Sequence, residues 1–146
     1  MYFWFKDMIE FSTLKGKVID EILIGTYLGE DAIIFKTRDK SYIMIHDQEC
    51  CESVTIDDIC GDLNDIIGEE VVVATEDQNE ENPNEEKLEY SFTWTFYHIE
   101  TFHGDVTIKW FGTSNGYYSE DASLYEIDES DDILTSIKIS KRYGTD

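Results

Sequence analysis

The chain has 146 residues, with 33 Asp and Glu against 11 Lys and Arg, a formal net charge of -22. That charge repels phosphate backbones and anionic headgroups, which disfavours direct binding of nucleic acid or a membrane and favours basic proteins and cations as partners. A hydrophobic content of 41% with 14% aromatic residues excludes a disordered acidic tail and supports a single folded domain over residues 1–146.

Residues 1–11 read as an N-terminal extension, in which Phe5, Met8 and Ile9 have the spacing of a short docking helix. No basic leader precedes the apolar start, so no signal peptide is expected. No apolar run nears the ~18 residues of a membrane span. From Lys17 the pattern turns to strands. Val18 to Tyr27, Ala32 to Thr37 and Ser41 to Ile45 read as an antiparallel meander, with a tight loop at Arg38-Asp39-Lys40. Ile56, Ile59, Cys60, Leu63, Ile66 and Ile67 then recur at i, i+3, i+4 and i+7, which predicts an amphipathic helix over about residues 56–67. Thr55 is its expected N-cap, Asp57 and Asp58 fall in the first turn where the dipole favours anions, and Gly68 is the expected stop. Gly61 inside it predicts close packing or a break.

Residues 70–75 read as a buried strand. Residues 76–87, which include the single proline Pro83, read as an acidic mobile loop. Leu88 to Glu100 and Val106 to Phe111 form a hairpin turning at His103-Gly104-Asp105. Tyr90, Phe92, Trp94, Phe96 and His98 share one face of its first strand, assigned mainly to the core, with a base-stacking platform as the alternative. Ser114-Asn115-Gly116 marks another turn. Residues 120–146 read as a tail peculiar to this chain, with one more strand or helix in Ile133 to Ser140. The expected class is α+β: a mostly antiparallel sheet of about five to seven strands with the 56–67 helix packed on it.

The densest chemical constellation is His46-Asp47-Gln48-Glu49-Cys50-Cys51-Glu52, which gathers imidazole, carboxylate and thiol, the ligand types of a zinc or iron site. Adjacent cysteines point apart and no C-x-x-C is present, so His46 and Cys50 make half a metal site at most. Cysteines packed as small hydrophobes are the plainer alternative. As a nucleophile pair, His46 and Cys50 lack an orienting partner and an oxyanion donor. Three clustered cysteines make a poor disulfide framework and fit a reducing cytoplasm. No calcium loop is present, and no catalytic residue or cofactor is expected.

Asp57, Asp58, Asp62 and Asp65, extended by Glu69, would line the solvent face of the 56–67 helix. Residues three and four apart on a helix lie ~5–6 Å apart, close to the scale of phosphates on a DNA strand, whose steps rise ~3.4 Å. Such a row would imitate nucleic acid; the plainer alternative is a solvated helix face. Asn115, Tyr117 and Tyr118, together with His46, are the candidates for contact with a small ligand, because turns tend to carry function.

The run from His46 to Val54 (His-Asp-Gln-Glu-Cys-Cys-Glu-Ser-Val) continues into Asp57-Asp58-Ile59-Cys60-Gly61-Asp62 and Ile66-Ile67-Gly68. With Thr93-Trp94-Thr95-Phe96-Tyr97, the block from Val106 to Trp110 and the block from Ser114 to Ser119, it resembles a family of small proteins of tailed bacteriophages and prophages. The resemblance covers roughly Gly16 to Ser119. It implies a phage accessory protein acting in the bacterial cytoplasm, and it carries over no catalytic residue. The leading expectation is a protein that binds and inhibits a host defence or DNA-processing protein with a basic or nucleic-acid-binding surface. The contact would run through Asp57, Asp58, Asp62, Asp65 and Glu69, with nucleic-acid mimicry as one route. The second is sequestration of a nucleotide signal, which requires a basic pocket built from the central cations Lys36, Arg38 and Lys109. The third is a metal-dependent enzyme around His46 and Cys50.

Overall fold

The computed structural model describes residues 8–48, 51–79, 91–114, 119–128 and 132–144. In chain order the strands are β1 (Met8–Ile9), β2 (Ile19–Tyr27), β3 (Glu30–Thr37), β4 (Ser41–Ile45), β5 (Ser53–Cys60), β6 (Val73–Asn79), β7 (Ser91–Thr101), β8 (Gly104–Ser114), β9 (Ser123–Ile127) and β10 (Lys138–Gly144). They form two sheets, one of six strands in the order β1-β9-β4-β3-β2-β10 and one of four in the order β5-β8-β7-β6. The class is mostly antiparallel β. Among the described residues helix is reduced to α1 (Ile133–Ser136) and two 3-10 turns, Phe11–Leu14 and Leu63–Ile66.

The expected meander is present as β2–β3–β4. The middle of each strand, Ile22–Ile24, Ala32–Phe35 and Tyr42–Ile45, is continuously apolar because the six-stranded sheet is covered on both faces there. Ile22, Ile33, Phe35, Tyr42 and Met44 face the four-stranded sheet and share a core with Tyr97, Ile108 and Trp110. Leu23, Ala32, Ile34, Ile43 and Ile45 face the other way, under Ile133 of α1 and Ile137. The region read as a tail is therefore integral. It supplies β9, inserted between β1 and β4, then α1 and the edge strand β10. At the other end Met8 and Ile9 pair with Tyr125 and Leu124 as β1 rather than forming a docking helix; Phe5 lies outside the described residues. Phe11 and Leu14 drop into the core from the 3-10 turn that follows.

The helix expected over 56–67 is instead strand β5 followed by the turn Leu63–Ile66. The register of β5 against β8 shifts between Ile56 and Asp58. This bulge at Asp57 adds one residue, so the inward positions run Val54, Ile56 and then Ile59, and a step of two becomes a step of three. Leu63 and Ile66 then point inward from a 3-10 turn, where residues three apart eclipse. The spacing copies a helical stripe without a helix. Gly61, at φ +106, breaks the chain here, and a Cβ on it would lie 2.7 Å from the Asp105 carbonyl oxygen. Thr55 is a solvent-facing strand residue. The cap is Asp62, whose carboxylate accepts from the Asn64 N–H at 3.0 Å.

Downstream, the strand expected at 70–75 is displaced to β6, which takes in residues 76–79 of the expected loop. The rest of that loop, 80–87, lies outside the described residues.

Candidate functional site

The aromatic face of β7 is not core. Thr93, Thr95, Tyr97, Ile99 and Thr101 are buried, while Phe92, Trp94, Phe96 and His98 stand half-buried on the outer face of the four-stranded sheet. The reason lies on the neighbouring strand. Val106, Ile108 and Trp110 of β8 point inward, and Trp110 lies directly opposite Thr95, so the large ring fills the space that the small threonine leaves.

Strand pairing arranges the outer face in rows across β6, β7, β8 and β5. One row is Thr75, His98, Thr107 and Cys60; the next is Asp77, Phe96, Lys109 and Asp58; the third is Asn79, Trp94, Phe111 and Thr55. Trp94 and Phe111 have ring centroids 4.3 Å apart. The Lys109 ammonium sits 4.2 Å from the Trp94 centroid and 5.9 Å from that of Phe96. Its other neighbour is the Asp57 carboxylate, at 3.5 Å. The face therefore holds one ammonium between a ring and an acid, an arrangement contributing roughly 0.5–2 kcal/mol.

Lys109 is the one cation on these four strands, against Asp57, Asp58, Glu76, Asp77, Glu100 and Asp105. By contrast Lys17, Lys36, Arg38 and Lys40 are paired with acids at the six-stranded sheet. At the turn end of the β7–β8 hairpin, His98 Nε2 lies 2.8 Å from Glu100 Oε1 and 3.9 Å from Asp105 Oδ2, with Nδ1 2.9 Å from Thr107 Oγ1. Phe102, at the tip, is 82% exposed.

The acids expected on one helix face are dispersed. Asp57 belongs to the bulge. Asp58 accepts from the Ile59 N–H at 2.8 Å and from the Cys60 thiol at 3.6 Å. Asp62 is the cap, Asp65 lies exposed on the 3-10 turn, and Glu69 pairs with His103 at 2.8 Å. No regular row of phosphate-like spacing results.

His46 is 2% exposed and is not a ligand contact. Its Nδ1–H donates to the Asp121 carbonyl at 2.8 Å, and its Nε2 lies 3.0 Å from the carboxylate of the buried Glu52. Both ring nitrogens are engaged inside the protein, which also removes His46 as a metal ligand. Cys50, Asn115, Tyr117 and Tyr118 lie outside the described residues. Cys51 is exposed and disulfide-bonded, against the expectation of an unpaired small hydrophobe, and Cys60 is an exposed free thiol.

Two open clefts run along the lateral edges of the paired sheets. The first, about 820 Å³, has Ile24, Ile56, Ile59 and Tyr143 in its walls, and sets Asp31, Asp58 and Asp62 against Lys138 and Lys141. Three carboxylates facing two ammonium groups do not make the basic pocket that a nucleotide signal requires.

The second cleft, about 670 Å³, includes Glu76 and Asp121. Burial, then the Asp121 charge, raises the Glu76 carboxyl above its ordinary range. Burial also raises Glu30. Both acids bind protons more readily folded than unfolded, so stability falls as pH rises from the ordinary glutamate value of ~4.3. Self-repulsion of the acidic surface acts in the same direction. Asp39, held down to about 2 by Lys17 and then Thr37, acts only below this window. The melting temperature is expected to be about 3 °C higher near pH 5 than near pH 8 at low salt, and Glu76→Gln to narrow the gap. Equal melting temperatures at the two pH values would count against it.

No helix among the described residues is long and apolar enough to cross a membrane. A family model, the domain of unknown function DUF7448, matches residues 12–124. No curated protein and no solved structure matches the chain.

Proposed function

The chain belongs to the DUF7448 family, which has no assigned function, and we propose that it acts by binding, seating a basic protein surface on the outer face of its four-stranded sheet. Occupying that surface would inhibit the partner, and the resemblance to phage accessory proteins supports a host defence or DNA-processing protein in that role. The observation that carries the proposal is the seat of Lys109 between Trp94 and Asp57. An arginine of a partner would displace Lys109 from Trp94, or stack on Phe96, Phe111 or Phe92, by the same combination of ring face and nearby acid. Half-buried aromatic residues inside a polar rim have the composition of an interface hot spot. Asp57, Asp58, Asp62, Asp65 and Glu69 act here as exposed charge that steers encounter, so mimicry works through the field and not through spacing.

An oligo-arginine peptide tests this directly by titration calorimetry. Binding is expected to weaken steeply with salt. Trp94→Ala should lower the affinity about tenfold, equal to about 1.4 kcal/mol, and Asp57→Asn with Asp58→Asn should flatten the salt dependence. An affinity unchanged by Trp94→Ala would overturn the sheet face as the docking surface.

A further inference from the structure

We infer that His98, Glu100 and Asp105 form a site for a first-row divalent transition metal ion, for which zinc is the probe, at the turn end of the β7–β8 hairpin. The inference goes beyond the docking proposal and does not depend on it. The placement follows from strand pairing: Glu100 faces Asp105 and His98 faces Thr107, so all four side chains leave the same side of a two-stranded ladder. One ligand atom from each of His98, Glu100 and Asp105 lies within 4.8 Å of the others, and among the described residues this is the group of three that does so. Tetrahedral ligands ~2.0–2.2 Å from a zinc ion stand about 3.3–3.6 Å from each other. The observed 2.8 and 3.9 Å from His98 Nε2 bracket that spacing, so small side-chain rotations close the set.

The donors decide the class of ion. One imidazole nitrogen with two carboxylate oxygens suits zinc and its first-row neighbours, whereas magnesium and calcium prefer oxygen alone. Thr107 Oγ1, 2.9 Å from Nδ1, orients the ring so that Nε2 is the nitrogen turned toward the carboxylates. The other histidines lack this combination. His103 meets one acid, Glu69, and His46 is consumed on both sides in the interior.

Calorimetric titration of the full chain with zinc chloride, with excess magnesium present to fill diffuse sites, tests the site. One saturable equivalent with a micromolar dissociation constant is expected. His98→Gln should weaken it at least about tenfold, and Asp105→Asn and Glu100→Gln should each weaken it several-fold. His103→Gln and Cys60→Ser should leave it unchanged. Absence of saturable binding overturns the inference. So does a site that survives His98→Gln, or one that is lost with His103 or with the Cys60 thiol. Should His98→Gln fail to fold, Asp105→Asn on its exposed side chain decides by the same criterion. The arginine-peptide experiment reads Trp94 and the zinc titration reads His98, so either can fail without the other.

Discussion

Gly112→Ala is expected to destabilise the protein by about 3 kcal/mol or more, at the upper end for overpacking a closed interior. A Cβ on Gly112 would fall 2.0 Å from the Glu120 carbonyl oxygen, 2.7 Å from its carbonyl carbon and 2.9 Å from its Cα. All three are backbone atoms, so no side-chain rotation relieves the clash, and either β8 or the 119–122 segment must move. Movement has a further cost. The Glu120 carboxylate is buried and accepts hydrogen bonds from Ser91 Oγ, Thr93 Oγ1 and Ser114 Oγ. Shifting the segment strips donors from a buried carboxyl group, a penalty of the same order as the clash. Thermal denaturation followed by circular dichroism checks this against Gly16→Ala, where a Cβ meets nothing within 4 Å and only the left-handed backbone at φ +87 opposes the substitution. That control should lose about 1 kcal/mol. Similar melting temperatures for the two variants would show that Glu120 does not press on β8.

Which parts of this architecture were legible depended on whether the information was local. The runs Ala32 to Phe35 and Tyr42 to Ile45 were legible as strands of a meander; that they are covered on both faces came from the structure, and it accounts for their lack of a polar side. The stripe from Ile56 to Ile67 misled because a bulge and a 3-10 turn together reproduce a helical spacing, and a bulge exists only relative to its partner strand. The two faces of β7 were separable by alternation, but alternation does not say which face is inside. Thr93, Thr95 and Tyr97 look less like core than Phe92, Trp94 and Phe96, and the choice was made by Trp110 on the opposite strand. Counting outward from the Phe102-His103 turn places Thr101 against Gly104 and Thr95 against Trp110, so that signal was present in the hairpin. The same count brings His98 and Glu100 beside Asp105, which no spacing rule for metal ligands within one segment would find. His46 shows the opposite failure. Its neighbours in sequence are metal-ligand types, but burial against Asp121 comes from a segment 75 residues away.

Removing one partner of the His46–Glu52 pair is expected to cost about 3–5 kcal/mol, the range for leaving a buried partner uncompensated. The Asp121 carbonyl can only accept, so His46 Nδ1–H donates to it, and Nε2 lies 3.0 Å from the Glu52 carboxylate. Glu52→Ala removes the acceptor or donor facing that ring nitrogen. Glu52→Gln, whose amide can donate to a neutral Nε2, should cost only about 1 kcal/mol. The pair matters because of what it holds. Three successive residues anchor the start of β9: Glu120 through its carboxylate to β7 and β8, Asp121 through its carbonyl to His46 at the end of β4, and Ala122 through a 2.7 Å hydrogen bond from the Tyr97 hydroxyl of β7. Burial, then the charges of Glu76 and Asp121, push the Tyr97 phenol up, so it remains a donor at any pH the fold survives. β9 pairs with both β1 and β4, so loosening this crossing frees a strand inside the six-stranded sheet. Urea denaturation of His46→Ala, Glu52→Ala and the double variant should show strong non-additivity, with the double costing about 1–3 kcal/mol less than the sum. Strict additivity would mean that the two side chains act separately and that other contacts hold the 120–122 crossing.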